Sequence, residues 1–262
     1  SKNPRGYTSN AVSPACAFKK TQPEKSRGLM RIRALTITIV FLVFGFAQGQ
    51  AVECVGNQEV IIGGHTGKEL SPVQVFRKNN GTEPGTLDPH RAEGVPASNI
   101  LRDLFEGLVM EDPAGRYVPG AAESWTLSED AKTYTFTMRE NGKWSNGDKV
   151  TAEDFVYGLR RSVDPATLSN YSSMLYPIKN ARDIVLGEMS PEALGVRAEG
   201  QQTLIIELEE PTPYFLSLLT HATTYAAHRP TVEKFGAQFT RPGNLVGNGA
   251  FKLREWRVQS HI

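Results

Sequence analysis

Between Thr133 and Asp164 the residue pattern changes from a period of two to a helical period, and few architectures accommodate that change in so short a span. In Thr133–Arg139 (TYTFTMR), Tyr134, Phe136 and Met138 alternate with Thr133, Thr135 and Thr137. Alternation of β-branched and aromatic residues marks a half-buried strand. Asn146-Gly147 then supplies the positive-φ positions of a tight turn. Thr151 is a good helix N-cap, and Asp154, three residues on, nearly completes a Ser/Thr-x-x-Glu capping box. Glu153 and Asp154 favour the positive end of the helix dipole. Phe155, Val156 and Leu159 give the helix one apolar side, and Asp164-Pro165 discourages its continuation. Three acids in this stretch, Asp148, Glu153 and Asp154, could suggest a hydrolase. Each has a structural task, so capping is expected in place of catalysis.

The rest of the chain mixes the same two element types. Short strands are expected at Gln58–Gly63, Val73–Arg77 and Leu204–Leu208, and Gly249–Trp256 (GAFKLREW) also alternates like a strand. Ser98–Val109 reads as a helix behind a Ser cap, with Ile100, Leu101, Leu104, Phe105 and Leu108 at helical spacing. Further helices are expected at Asn180–Leu186, Pro213–Leu219 and from Thr231 to Phe235. The class is α/β or mixed α+β. A length of 262 residues suits one large domain or two small ones.

Composition and motifs exclude several functions. A net charge of +1 with 22% charged residues leaves no nucleic-acid footprint. Met30-Arg31-Ile32-Arg33 followed by the uncharged ALTITIVFLVFGFA (34–47) and small residues at Gly49-Gln50-Ala51 reads as a signal peptide over 30–51. The apolar run falls short of the about 20 residues a membrane span needs. Export to the periplasm is expected, with Ser1–Leu29 as upstream sequence. Of the two cysteines, Cys16 would leave with the leader and Cys54 would remain unpaired. Glu53 before Cys54 argues against a lipid anchor. Ile62–Lys68 resembles a phosphate loop only superficially, because its first glycine is replaced by Ile62 and its Ser/Thr by Glu69. None of the five histidines forms a zinc motif, and no Gly-x-Ser-x-Gly elbow appears. The residues offer no anchor for enzymatic function, and no cofactor is expected.

Laid out in order, four segments resemble one known family: 79–108, 119–165, 209–221 and 235–256. The most specific is Ala122–Asp154, with a Trp, a strand, Arg-x-x-x-x-Trp-Ser-Asn-Gly and Thr-Ala-x-Asp-Phe in family order. The chain is similar to the oligopeptide-binding proteins of bacterial ABC importers, a solute-binding family that also holds dipeptide, murein-peptide and nickel binders.

The resemblance implies a periplasmic-binding-protein type II-like fold with two lobes that close on a ligand by hinge motion. It implies a partial large lobe from 52–105 and 229–262, a small domain at 106–228, and a missing second large lobe, since family members usually exceed five hundred residues. On that basis this chain by itself is expected to bind peptides weakly or not at all. The implied partners are an oligopeptide ligand and the membrane permease. The alternatives are a family member with another ligand, an exported hydrolase, or an envelope interaction module. In this family the peptide is held extended, through its backbone, by strand addition. The matching edge segment is Glu93-Gly94-Val95, where Gly94 permits close approach and Pro96 is expected to keep Val95 extended. Tyr171 falls where the family places an aromatic facing the cleft, and His221 aligns near the cleft wall. Packing alone would also account for both.

Overall fold

The computed structural model describes residues 60–62, 65–67 and 75–262. The leader, both cysteines and half of the strand expected at Gln58–Gly63 lie outside them. The chain divides into two units, Ser1–Arg77 and Lys78–Ile262. In the first, β1 (Val60–Ile62) and β2 (His65–Gly67) form an antiparallel hairpin with Val60 opposite Gly67. The strand expected at Val73–Arg77 is not formed over Val75–Arg77. Alternation makes a strand only where a neighbouring backbone completes the ladder.

The second unit is built on a four-stranded antiparallel sheet. Its strands are β5 (Ala122–Leu127), β6 (Thr133–Met138), β7 (Val196–Glu199) and β8 (Thr203–Glu207), in the order β5-β6-β8-β7. Tyr134, Phe136 and Met138 on β6 are buried while the threonines between them are half-buried, as the alternation predicts. Phe136 faces Trp125 on β5 and Leu204 on β8. A separate pair, β3 (Val109–Glu111) and β4 (Tyr117–Pro119), precedes the sheet.

Helix α2 (Ala152–Val163) packs against β7 and β8, burying Phe155, Val156, Leu159 and Val163. Each fully buried side chain of this size contributes about 1.5–3 kcal/mol. Its start is the expected cap. Asp154 Oδ2 accepts the Thr151 backbone N–H at 2.8 Å, the Thr151 hydroxyl at 3.0 Å and Trp144 Nε1–H at 3.3 Å. Asp148 is also structural: Asn146 Nδ2–H donates to its Oδ2 at 2.6 Å, and His228 Nε2 lies 2.9 Å from the same oxygen.

Helix α1 spans Gly94–Leu104, four residues earlier at its start than the Ser98 cap predicts and five shorter at its end. Pro96 does not block the early start, because a first-turn N–H has no intrahelical partner to lose. At the other end, Gly249 N–H donates to Leu104 O at 2.8 Å and Phe251 N–H to Asp103 O at 3.0 Å. Those bonds cap the helix. They also explain why Gly249–Trp256 is not the strand its alternation suggests: its donors go to helix carbonyls.

The remaining helices are short. They are α3 (Ala181–Val185), α4 (Phe215–Leu218) and α5 (Arg229–Phe235). Phe215 meets Tyr134 at 5.2 Å between ring centroids, tying α4 to the sheet. α5 begins two residues before the expected Thr231 because Pro230 suits the first turn.

Candidate ligand site around Tyr171 and His221

The end of α2 leads straight into the candidate site. Asp164 Oδ1 accepts the Ala166 N–H at 2.9 Å, starting a 3-10 turn over Pro165–Thr167 that closes with Leu168 in the left-handed region. Tyr171 then opens a second 3-10 turn, Ser172–Leu175. The Tyr171 ring packs edge-on against His221, with centroids 5.0 Å apart and planes at 65°.

His221 is held by its own neighbours. Thr223 N–H donates to Nδ1 at 3.2 Å, and Thr223 Oγ1 lies 3.0 Å from the same nitrogen. Nδ1 is therefore the acceptor, and the ring proton sits on Nε2. Burial lowers the imidazole pKa below its ordinary value, and the charge of Arg102 lowers it further. At neutral pH the ring is uncharged and offers one donor.

The structure also brings Glu93 to this place. The Asn170 side-chain amide, one residue before Tyr171, donates to the Glu93 carboxylate. Glu93 itself is extended (φ −127°, ψ 148°), but Gly94 and Val95 already belong to α1. The extended edge expected over Glu93–Val95 is thus confined to Glu93. Gly94 makes the change of direction at φ +77°, where a side chain would be strained although only Pro96 Cδ lies near. Val95 is 71% exposed. Glu93, Tyr171 and His221 are joined through Asn170, and Gly94 and Val95 follow Glu93 directly.

One polar cluster was not singled out in the sequence. Arg161 holds Asp88 with two bonds of 2.7 and 2.8 Å, and its Nη1 lies 2.8 Å from His90 Nδ1. His90 Nε2 in turn reaches Tyr225 O at 2.9 Å, so Nε2 carries the proton. Burial pushes His90 down to about 4, and the Arg161 charge acts in the same direction. Burial alone would raise Asp88, but Arg161 outweighs it and holds the carboxyl below its usual range. A cleft of about 500 Å³ opens beside this cluster, lined by Glu153, Tyr157, Arg160 and Arg229 among others. None of Glu93, Gly94, Val95, Tyr171 and His221 lines it. Among the described residues no three His, Cys, Asp or Glu side chains are placed to hold a metal.

Residues 116–262 match the family model for "Bacterial extracellular solute-binding proteins, family 5 Middle". The chain belongs to this family. As a family 5 chain it is 46% identical over 209 residues to the periplasmic oligopeptide-binding protein OppA of Escherichia coli K12, covering 79% of this chain and 38% of that protein. It is 47% identical to the OppA of Salmonella typhimurium LT2, covering 75% of this chain and 36% of that protein. Among solved structures, Haemophilus influenzae OppA in complex with the peptide RPPGFSPFR superposes with a TM-score of 0.67 at 47% identity, over 69% of this chain and 36% of that one. The Escherichia coli murein tripeptide-binding protein MppA gives a TM-score of 0.65 at 45% identity, over 68% of this chain and 35% of that one. The mixed α/β class expected from the sequence is the fold of these structures. The family 5 chain described here spans a little over a third of the length of these relatives. None of these relatives is an enzyme by name.

Proposed function

We propose that the chain is part of an extracytoplasmic solute-binding component of an ABC importer, binding oligopeptides in extended form and delivering them to a membrane permease. The site would lie on Glu93, Gly94, Val95, Tyr171 and His221, at the junction of a small domain (106–228) with the segments 52–105 and 229–262 of a large lobe. Periplasmic location follows from the same reading, as does the absence of catalysis. The carrying observation is the Tyr171–His221 contact, tethered to Glu93 through Asn170. A rigid aromatic next to a neutral imidazole donor suits a peptide backbone, with a stacking surface beside a single hydrogen bond. The kinship with proteins named for oligopeptide binding supports the ligand class.

Titration of ¹⁵N-labelled chain with the tripeptide Ala-Leu-Ala tests this, run in parallel on the longest reading frame that contains the sequence. The amide signals of Gly94, Tyr171 and His221 should shift together. Saturating peptide that leaves all three unmoved in both proteins would dismiss the site.

A further inference from the structure

This inference rests on the peptide-site reading above and extends it to the loop between α2 and Tyr171. Three unfavourable features fall on two consecutive residues there. Leu168 stands at φ 57°, ψ 47°, a left-handed conformation that residues other than Gly, Asn and Asp avoid. The residue is 68% exposed to water. Ser169, next in the chain, has its hydroxyl oxygen shut off from solvent with no hydrogen-bond partner, a rare state for a buried polar atom.

Leu168 N–H donates to Pro165 O at 3.1 Å to close the turn, and the chain leaves it through this left-handed residue. Glycine or asparagine would adopt that conformation more easily and without an exposed apolar group. Leucine at this position is poorly suited to folding, and local strain of this kind concentrates at binding surfaces. The loop is continuous with the candidate site. Two residues after Leu168, Asn170 is bonded to Glu93, and Tyr171 follows on His221. Val95, 71% exposed, stands two residues beyond Glu93. Two exposed apolar residues therefore flank the Asn170–Glu93 bond along the chain.

We infer that Leu168 is a ligand-contacting residue that, with Val95, makes the site select peptides carrying an apolar side chain. Most of the leucine's surface faces water in the free protein, and a peptide's aliphatic group replaces that water at a hydrophobic gain.

The test compares Ala-Leu-Ala with Ala-Ser-Ala on wild type and on Leu168→Asn, in the titration described above. Asparagine tolerates the left-handed conformation, so the loop is kept and only the apolar contact is removed. Wild type should prefer the leucine peptide by about tenfold, the scale of a single apolar side-chain contact. In Leu168→Asn the ratio should fall toward one while the melting temperature holds or rises. Leu168→Gly should repeat the loss of selectivity. A variant that keeps the wild-type ratio overturns the role of Leu168 and leaves the peptide site standing. If neither peptide moves Tyr171 and His221 in wild type, the site reading fails and takes this inference with it.

Discussion

His90 shows at the residue scale how burial and a single neighbour decide protonation. Its ring is buried, donates to the Tyr225 carbonyl and faces Arg161, and its pKa falls from 6.5 to about 4. A basic group depressed on folding contributes nothing above the unfolded value, where both states are neutral. As pH falls from about 6.5 toward 4, the unfolded chain takes up a proton that the native ring refuses, and stability is lost. The full loss is about 3 kcal/mol at 1.36 kcal/mol per unit. His221, lowered in the same direction, adds to the same limb. Asp88 acts separately: its lowered carboxyl stabilises above the carboxylate range and gives that up only in stronger acid. Urea midpoints should therefore fall between pH 7 and 4.5, and the His90 imidazole should titrate near 4 by NMR. A His90 signal that titrates near 6.5 would refute the account. At this scale the sequence was legible where the task is local. Asp154 reads as a cap in Thr-Ala-Glu-Asp-Phe and caps in the structure. The His90–Arg161 pairing was illegible, because nothing in either residue's neighbourhood names the other.

At the scale of elements, Gly158 fixes how closely α2 approaches the chain at Tyr225–Ala227. A Cβ there would lie 2.5 Å from Tyr225 O and 3.1 Å from Ala226 Cα. Both obstacles are backbone, so neither can swing aside. Gly158→Ala, an improvement by helix propensity of up to about 1 kcal/mol, should instead destabilise by about 1–3 kcal/mol through overpacking. Thermal melts of the variant decide between the two, and a raised melting temperature would mean that α2 can shift outward freely. The elements themselves were partly readable. β6 and α2 carry strong periods and a cap, and form where expected. α1 ends at Leu104 and Gly249–Trp256 forms no strand, because the helical spacing and the alternation are local signals outvoted by distant partners.

For the second unit as a whole, stability should be graded across the sheet. β6 and β8 are central, with ladders on both sides, whereas β5 and β7 lie at the edges. Phe136, Leu204 and Ile206 are fully buried between them. Hydrogen exchange should be slowest at β6 and β8 and faster at β5, since central amides open only with the whole core. Equal protection of β5 and β6 would point to a cover over the β5 edge. The sequence by itself determined the mixed α/β class, the β6 strand, the turn at Gly147, the capped α2 and the family resemblance. All of these rest on periods and motifs carried by residues adjacent in the chain. Only the tertiary structure decided that α1 takes its C-terminal cap from Gly249 and Phe251, that Arg161 reaches Asp88 and His90, and that Tyr171 meets His221 beside Glu93. Those contacts join residues far apart in sequence. They exist because closing the core brings their backbones together, and no local preference encodes that.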